Sequence, residues 1–453
     1  MTAPTPAPSI PDGEKLDFKR IFPIFIIVIV DLLALTVIIP MLPLFAVTFG
    51  ADPLAIGLLS TVFPLFQLVG GPVLGSLSDR YGRKPVLIVS QVGTFVGLLM
   101  LGFANVLWIL FASRILDGFT GGNIVTAQAA ITDSTNERTR AQGLGLIGAA
   151  FGIGFVLGPA ISGVALALTG NDFRVPAFIA AGFSLLSIVL TTFWFKETLA
   201  PDAHRSTARR EPLLRRMAKT VVLPGVGILV ALMFMQHVVF GGLEALLALF
   251  NLNRLGMSAS SNAVVFVFVG VILVAVQGKY IGPWSRKYGE RRLILAGLTL
   301  LAVGILLTAL TPQVPVPWYS STELVAELSA QGAESTALTG ITSVALPPDG
   351  ANGWLGLIWL LVAMVPCTIG AGLLSPSINS LISKSVPAAE IGGALGVSAS
   401  MVSLANVIAP VTGGAMFQAW GSSAPFLAGG VVLAVLLFVS VRRLPSPKPV
   451  PAG

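Results

Sequence analysis

Two short charged stretches decide the fold of this chain: residues 75–84 read GSLSDRYGRK and residues 282–291 read GPWSRKYGER. Each stretch lies between two long apolar runs, and their glycine, serine, basic and tyrosine positions coincide at a constant spacing of 207 residues. Internal repeats of this kind are typical of transporters, which build alternating access from related halves around a central site. The sequence therefore predicts two related halves, each with a basic turn between membrane helices.

A second pair of motifs supports the repeat. Three residues of one apolar run match three of a later run at a spacing of 251: Gly145, Pro159 and Gly163 correspond to Gly396, Pro410 and Gly414. The two spacings differ by 44 residues, so the second half must contain an insertion of about that length. Residues 312–352 supply it and are predicted to be extracellular.

The inserted segment carries acidic residues but no lysine or arginine; the acids are Glu323, Glu327, Glu334 and Asp349. We expect a short helix that is capped by Ser321 or Thr322 and runs through Ser329. A tolerated surface insertion is the preferred interpretation, because loops accept extra length cheaply. An outer lid that attracts cations is the alternative.

The composition indicates a membrane protein, since 55% of the residues are hydrophobic and only 10% are charged. A soluble protein of this size carries roughly a quarter charged residues. Twelve apolar runs reach or approach the ~20 residues that a helix needs to cross a bilayer. They are residues 21–47, 54–77, 85–103, 106–131, 140–168, 174–195, 222–250, 259–282, 293–311, 353–382, 391–418 and 424–441. The predicted fold is an all-α integral membrane protein with twelve transmembrane helices in two pseudo-symmetric six-helix bundles.

The net charge of +7 reflects topology rather than nucleic-acid binding. With both termini in the cytoplasm, 24 of the 27 Lys and Arg residues lie in cytoplasmic segments or at their mouths, all except Arg114, Arg174 and Arg254. This asymmetry follows the positive-inside rule and predicts a multi-pass protein of the cell membrane, with anionic inner-leaflet lipid as a partner. The single cysteine, Cys367, rules out an intrachain disulfide and a paired-cysteine metal site, so we expect neither a metal nor a cofactor.

The predicted organisation has five parts. Residues 1–20 form a disordered cytoplasmic tail without the pattern of a cleaved signal peptide, and residues 21–196 form the first bundle. Residues 197–221 form a basic cytoplasmic linker along the inner headgroups. Residues 222–441 form the second bundle, which includes the insertion, and residues 442–453 form a second cytoplasmic tail.

Five ionisable residues lie inside the predicted spans. Placing one there costs ~2.5–3.5 kcal/mol of insertion free energy, so each is a candidate for a functional role. They are Asp31, Arg114, Asp117, His237 and Glu244. A buried carboxyl such as Asp31 can carry a proton and release it when a cation approaches, which is the minimal physics of antiport. Asp31 is the first candidate for proton coupling and Glu244 the second. Arg114 and Asp117 are either a coupling element or a neutral pair that pins one helix, and His237 is either a proton carrier or an ordinary interior residue.

At the basic turn the chain resembles the major facilitator superfamily, and within it the twelve-helix drug:proton antiporters of the tetracycline-efflux type. The loop signature G-x-L-x-D-R-x-G-R-K is satisfied at every fixed position, by Gly75, Leu77, Asp79, Arg80, Gly82, Arg83 and Lys84. The antiporter signature of the fifth helix resembles Gly154, Gly158, Pro159 and Gly163. The resemblance implies that this fifth-helix surface seals an interface during rocking.

The loop itself is predicted to gate. Asp79 can neutralise basic residues or sit against a helix N-terminus across the two halves, while the glycines allow close approach and a tight turn. The second copy has Arg286 where Asp79 lies in the first copy, so we expect it to have lost the acid.

Few polar residues face the predicted pocket, and soft apolar side chains surround them, as suits lipophilic ligands. The predicted substrate-binding residues are Asp31, Gln67, Asn123, Met233, Gln236, Phe240 and Asn379. We predict a monomeric, proton-driven exporter of lipophilic small molecules. Symport of a nutrient, lipid translocation and a non-transporting receptor are ranked below it. An enzyme ranks last, since no nucleophile–base pair, phosphate loop or metal-ligand spacing occurs in the spans.

Overall fold

A computed structural model of the chain describes residues 17–136, 139–199, 226–329, 345–386 and 391–444. The regular structure of these residues is entirely helical. The helices are α1 (Phe18–Ile38), α2 (Leu42–Thr48), α3 (Pro53–Tyr81), α4 (Arg83–Gly102), α5 (Leu107–Thr120), α6 (Asn123–Asp133), α7 (Arg140–Leu168), α8 (Arg174–Phe193), α9 (Val226–Leu255), α10 (Ala259–Ala275), α11 (Ile281–Tyr288), α12 (Glu290–Ala309), α13 (Ser321–Ser329), α14 (Leu355–Ser385), α15 (Ile391–Trp420) and α16 (Ala424–Arg443). A π-helical turn, Val276–Tyr280, joins α10 to α11.

Within the described ranges, eleven helical segments are long and apolar enough to cross a membrane. The predicted span 106–131 is instead divided into α5 and α6, which meet at Gly121 and Gly122. Two adjacent glycines weaken a helix, and here the Gly122 N–H bonds the Thr120 carbonyl at 2.8 Å in a tight turn. The broken pair supplies the twelfth crossing, and the all-helical fold predicted from the sequence is confirmed.

The helix boundaries follow the repeat that the motifs predict. Helices α4 and α12 begin 207 residues apart, at Arg83 and Glu290, and each follows a glycine with positive φ. Gly82 has φ 102° and Gly289 has φ 77°, a region that favours glycine because no Cβ clashes there. Helices α7 and α15 begin 251 residues apart, the second spacing seen in the sequence.

The chain forms two compact units. One contains Met1–Met41 and Val62–Arg209, and the other contains Leu42–Thr61 and Arg210–Gly453. The predicted bundle limits, 21–196 and 222–441, stay predictions. Most of the predicted linker 197–221 and of the two tails lies outside the described residues.

In the first unit, α1 packs against α7 and α8, and α4 packs against α5 and α8. A core of buried aliphatic side chains joins these helices; it includes Ile24, Ile27, Leu87, Ile131 and Ile147. Large apolar side chains such as Val164 and Leu185 are exposed on the outer helix faces. Such faces are expected where lipid surrounds the protein. The hydrocarbon core of a bilayer accepts apolar side chains, provided that the backbone N–H and C=O groups are hydrogen-bonded within the helices.

In the second unit, the start of α3 crosses α15 at very short range. A Cβ added at Gly57 would lie 2.4 Å from the Pro410 carbonyl oxygen, and one added at Gly414 would lie 2.4 Å from the Pro53 carbonyl oxygen. The Thr61 hydroxyl donates to the Val407 carbonyl at 2.9 Å. Close backbone approach through small residues is how helices associate in lipid.

The described part of the insertion is anchored to the same unit. The Val316 N–H bonds the Leu255 carbonyl at 3.0 Å, and the Tyr319 hydroxyl donates to the Pro347 carbonyl at 2.7 Å. The predicted short helix through Ser329 is confirmed as α13. Its cap differs from the prediction: Ser320 Oγ accepts from the Glu323 N–H at 3.4 Å, because the helix already includes Ser321. Glu334 lies outside the described residues.

Candidate functional site

The Asp31 carboxylate belongs to α1 in the first unit and is held by two amides from other helices. Asn123, the first residue of α6, donates from Nδ2 to Asp31 Oδ2 at 3.0 Å. Gln91, on α4, donates from Nε2 to the same oxygen at 3.3 Å. Two amide donors on one carboxylate fix its direction and satisfy it where water is scarce.

Gln91 is completely buried and extends this network to α8. Its Nε2 also donates to Ser187 Oγ at 2.8 Å, and its backbone carbonyl accepts from Ser184 Oγ at 3.2 Å. The sequence analysis missed Gln91. The available signal was an amide in the middle of an otherwise apolar run, which costs free energy to bury unless it is hydrogen-bonded.

Arg114 and Asp117 form a buried ion pair on α5. Arg114 Nη1 lies 3.1 Å from Asp117 Oδ2, and the two residues are 2% and 3% exposed. Burying both charges is costly and is tolerated only when they stay paired. The pairing that the sequence predicted is present, and the Arg114 Nε is left without a hydrogen-bond partner among the described residues.

Both acids border one small cavity in the first unit. Its polar lining consists of Asp31, Gln67, Thr94, Asp117 and Asn123, and its apolar lining includes Leu32, Leu35, Phe63 and Leu98. The cavity has a volume of about 30 Å³. Since one water needs roughly 10–15 Å³ measured this way, it has room for about two waters but not for a drug-sized molecule. The cavity thus brings two acidic residues, Asp31 and Asp117, to one small space.

The remaining predicted site residues lie in the second unit, on α9 and α14. The Gln236 side chain is buried and donates from Nε2 to Ser375 Oγ at 3.1 Å. His237 Nδ1 lies 2.9 Å from the Met233 carbonyl oxygen. Asn379 accepts a hydrogen bond from Ser398 at 3.0 Å.

Glu244 lies on α9 and is half-buried. Among the residues whose structure is described, neither Glu244 nor His237 forms an ion pair. Phe240 lies one helical turn before Glu244 and is also half-buried. A carboxyl with no protein partner in an apolar span is available to a ligand or a proton.

The basic turn of the first unit is organised around Arg83. Arg83 Nη1 donates to Asp79 Oδ1 at 2.6 Å, and Arg83 Nε donates to Asp133 Oδ2 at 2.8 Å. Arg83 Nη1 also donates to Ser78 Oγ at 2.8 Å. Asp79 thus neutralises a basic residue of its own loop, one of the two roles predicted for it.

The acid at the N-terminus of α4 is Glu197, which the sequence analysis did not single out. Its two carboxylate oxygens accept from the backbone N–H groups of Arg83 and Lys84 at 2.9 and 3.0 Å. A carboxylate there is stabilised by unpaired N–H groups and by the helix dipole. Gly82 precedes the helix with a φ of 102°, which favours glycine, and a Cβ at that position would lie 2.6 Å from Glu197 Oε2.

The second copy of the turn has kept a charge pair but reversed its sign. Glu290 stands 207 residues after Arg83 and accepts from Ser285 and Ser380, each at 3.1 Å. Glu290 also pairs with Lys384, which stands 251 residues after Asp133. The second copy therefore has Arg286 at the position of Asp79, as the sequence shows, and its acid, Glu290, stands at the position of the first copy's arginine.

The predicted antiporter motif on α7 packs against α1. A Cβ added at Gly158 would lie 2.1 Å from Thr36 Oγ1, and one added at Gly154 would lie 3.4 Å from Leu32 Cβ. Pro159 and Gly163 lie on the same helix. The surface therefore adjoins the helix that carries Asp31.

Comparison with known proteins gives one consistent result. The family model of the Major Facilitator Superfamily matches residues 24–359 and 335–453. The class H tetracycline resistance protein of Pasteurella multocida is 24% identical over 95% of this chain and 98% of its own length. The class G tetracycline resistance protein of Vibrio anguillarum is 30% identical over 79% of this chain and 98% of its own length. Among solved structures, a bacterial homologue of the human lysosomal transporter Spinster matches 94% of this chain and 98% of its own, with a TM-score of 0.67 at 16% identity, which speaks to the fold alone.

Proposed function

Because this chain belongs to the major facilitator superfamily, a family of multi-pass membrane transporters rather than enzymes, we propose that it exports lipophilic small molecules in exchange for protons. The names of its relatives support efflux as the direction, since they are tetracycline and multidrug resistance proteins. The expected substrates are cationic or zwitterionic. No cofactor is required, because the proton gradient supplies the driving force.

One observation carries the proton-coupling part of the proposal: Asp31 and Asp117 border the same small polar cavity inside an apolar unit. An ionised carboxylate there is held by the amides of Gln91 and Asn123, and a protonated one no longer costs the desolvation of a charge. Proton and cationic substrate then compete for the same negative charge, and this competition is a coupling free energy between two ligands.

Other residues are assigned supporting roles. Arg114 is a fixed positive charge that holds Asp117 in place. Glu244, whose carboxyl has no ion-pair partner among the described residues, is the second acceptor for a proton or a substrate cation, and His237 is assigned the role of a relay. The substrate surface comprises Gln67, Asn123, Met233, Gln236, Phe240 and Asn379 in addition to Asp31.

The orientation follows from charge. Placing both termini in the cytoplasm puts the basic turns at the inner surface of the plasma membrane, next to anionic lipid. The protein is proposed to act as a monomer, with residues 21–196 and 222–441 as its two bundles.

The proposal is tested with Asp31→Asn in inverted membrane vesicles, where efflux appears as uptake driven by an imposed proton gradient. We expect uptake of a lipophilic cation to fall to background while protein abundance and fold are retained. Glu323→Gln, which removes an acid of α13 far along the chain, is the matched control and should transport normally. Uptake by Asp31→Asn at the unmodified protein's rate would remove Asp31 from the mechanism. Alkalinisation of the medium outside the vesicles on substrate addition, instead of acidification, would favour symport.

A further inference from the structure

The hydrogen bonding of Gln91 is unbalanced. Its side-chain nitrogen makes two hydrogen bonds, to Asp31 and to Ser187, whereas its side-chain oxygen is buried without a partner among the described residues. An unpaired carbonyl oxygen in a buried amide costs free energy. The oxygen finds a donor only if the amide turns over, at the cost of turning its nitrogen away from Asp31 and Ser187.

The protonation of Asp31 supplies that arrangement. An ionised carboxylate only accepts hydrogen bonds, so it prefers the amide nitrogen that now faces it. A protonated carboxyl carries an O–H donor and prefers the amide oxygen. The terminal torsion of glutamine is broad and roughly two-fold, so a half-turn exchanges the two atoms within nearly the same volume. The Ser187 hydroxyl can follow, because it donates as readily as it accepts.

We propose that the Gln91 carboxamide flips when Asp31 gains or loses its proton, and that it thereby reports the proton on α1 to α8. In the ionised state, the amide nitrogen faces Asp31 and Ser187. In the protonated state, the amide oxygen accepts from both. Gln91 is a positioning residue, acting through Asp31 and Ser187 rather than on the substrate. The inference rests on the proposed function only in taking Asp31 as a group that titrates.

Besides the Ser187 hydroxyl, which also hydrogen-bonds the Asp31 carboxylate, the Gln91 amide is the main adjustable group around Asp31. Across the cavity, the facing charged groups are Asp117 and its partner Arg114. Asn123 donates to the same oxygen but uses its own oxygen on the Ile124 N–H at 2.9 Å, so it is held in one orientation. The other charged residues of the packed helices stand at helix ends: Lys19, Arg20, Arg83, Lys84, Asp133, Arg140 and Arg174.

The test is a solid-state NMR distance measurement on the complete protein in lipid, with side-chain ¹⁵N in glutamine and ¹³Cγ in aspartate. The carboxyl chemical shift reports the protonation state of Asp31, and the ¹⁵N–¹³C coupling reports which end of the amide faces it. Subtracting the spectrum of Gln91→Met assigns the signal. Gln418, whose Nε2 donates to Asp52 Oδ2 at 3.2 Å, is an internal reference for an amide on an exposed acid.

We expect the Gln91 coupling to be strong while Asp31 is ionised and to weaken clearly when Asp31 is protonated. A coupling that stays unchanged while Asp31 titrates would overturn the flip but leave proton coupling intact. An Asp31 that does not titrate between about pH 4 and pH 10 would overturn it too. Failure of the proposed function is recognised separately, by normal vesicle transport in Asp31→Asn.

Transport supplies a second measurement. In Gln91→Met, Asp31 loses its hydrogen bond to Gln91 in both protonation states. The bond to the ionised carboxylate is the stronger of the two, so the ionised form is destabilised more and the midpoint pH of transport should rise by about one unit. Thr191→Val removes an equally buried hydroxyl on α8, one turn from Ser187, and should leave the midpoint unchanged. Equal midpoints in Gln91→Met and the unmodified protein would contradict the proposal.

Discussion

The reversed charge pair of the second unit makes a sharp prediction. Glu290 is nearly buried, with 9% of its side chain exposed, while Lys384 is 60% exposed. Changing Glu290 to Arg places two cations side by side and leaves the hydroxyls of Ser285 and Ser380 without their acceptor. Breaking a buried pair costs about 3–5 kcal/mol, but the exposure of Lys384 lets that cation move into solvent, so we expect ~3 kcal/mol for Glu290→Arg.

The complementary change should cost less. Lys384→Asp puts a second carboxylate near Glu290, but at an exposed position where repulsion is screened, so about 1 kcal/mol is expected. Combining the two changes reproduces the sign found at Arg83 and Asp133 in the first unit, where Nε and Oδ2 are 2.8 Å apart. The double variant should therefore recover ~2 kcal/mol relative to the sum of the single variants.

The assay is thermal unfolding of the purified protein in detergent, with drug uptake into vesicles as a second readout. Glu290→Arg is expected to lower Tm by about 5 °C, and the double variant is expected to regain about a third of that loss. Arg286→Ala, at the position where the first copy has its acid, is the matched control and should change Tm little. Additive losses in the double variant would refute the view that the two units carry equivalent pairs of opposite sign.

Two further predictions follow from close contacts. Gly158→Val should reduce transport and lower Tm. The added Cβ would lie 2.1 Å from Thr36 Oγ1, and overpacking of this kind costs about 1–3 kcal/mol. Normal transport would show that α7 and α1 are not closely packed in the working cycle. At the insertion, hydrogen bonds from Ser321 hold the pKa of Asp349 below its ordinary value. The attachment of α13 should thus be complete above about pH 4 and should be lost as the pH falls through the lowered pKa. Acid titration of Trp318 fluorescence should show this transition, and Asp349→Asn should abolish it; an identical transition in that variant would exclude Asp349.

Much of the fold could be predicted from the sequence because membrane helices must satisfy their own backbone groups. Apolar length therefore reports directly on the crossings, and the glycine turns at Gly82 and Gly289 report on where they end. The division of one span into α5 and α6 was harder to see. Two glycines in a membrane helix are common, and only the local hydrogen bonds show that Gly121 and Gly122 interrupt it.

The candidate site was only partly predictable. Asp31, Asp117 and Asn123 stand out as polar residues in apolar runs, and the structure gathers them at one cavity. Gln91 is also a polar residue in an apolar run, but its role depends on which neighbouring helix it faces, and a single sequence does not contain that information. The pair of Glu290 and Lys384 was not predicted because the repeat was identified from identical residues. Exchanging the two charges keeps an ion pair at these positions but leaves no identical residues to find.

The most direct test of the account is whether substrate binding displaces a proton from Asp31. Purified protein in a weakly buffered, mildly acidic solution, chosen so that Asp31 carries a proton before substrate is added, is mixed with a lipophilic cation while the pH is recorded. We predict acidification by the unmodified protein and none by Asp31→Asn, with the cation supplied at a concentration that saturates the variant's weakened binding as measured by equilibrium dialysis. Equal acidification by the two proteins would contradict it.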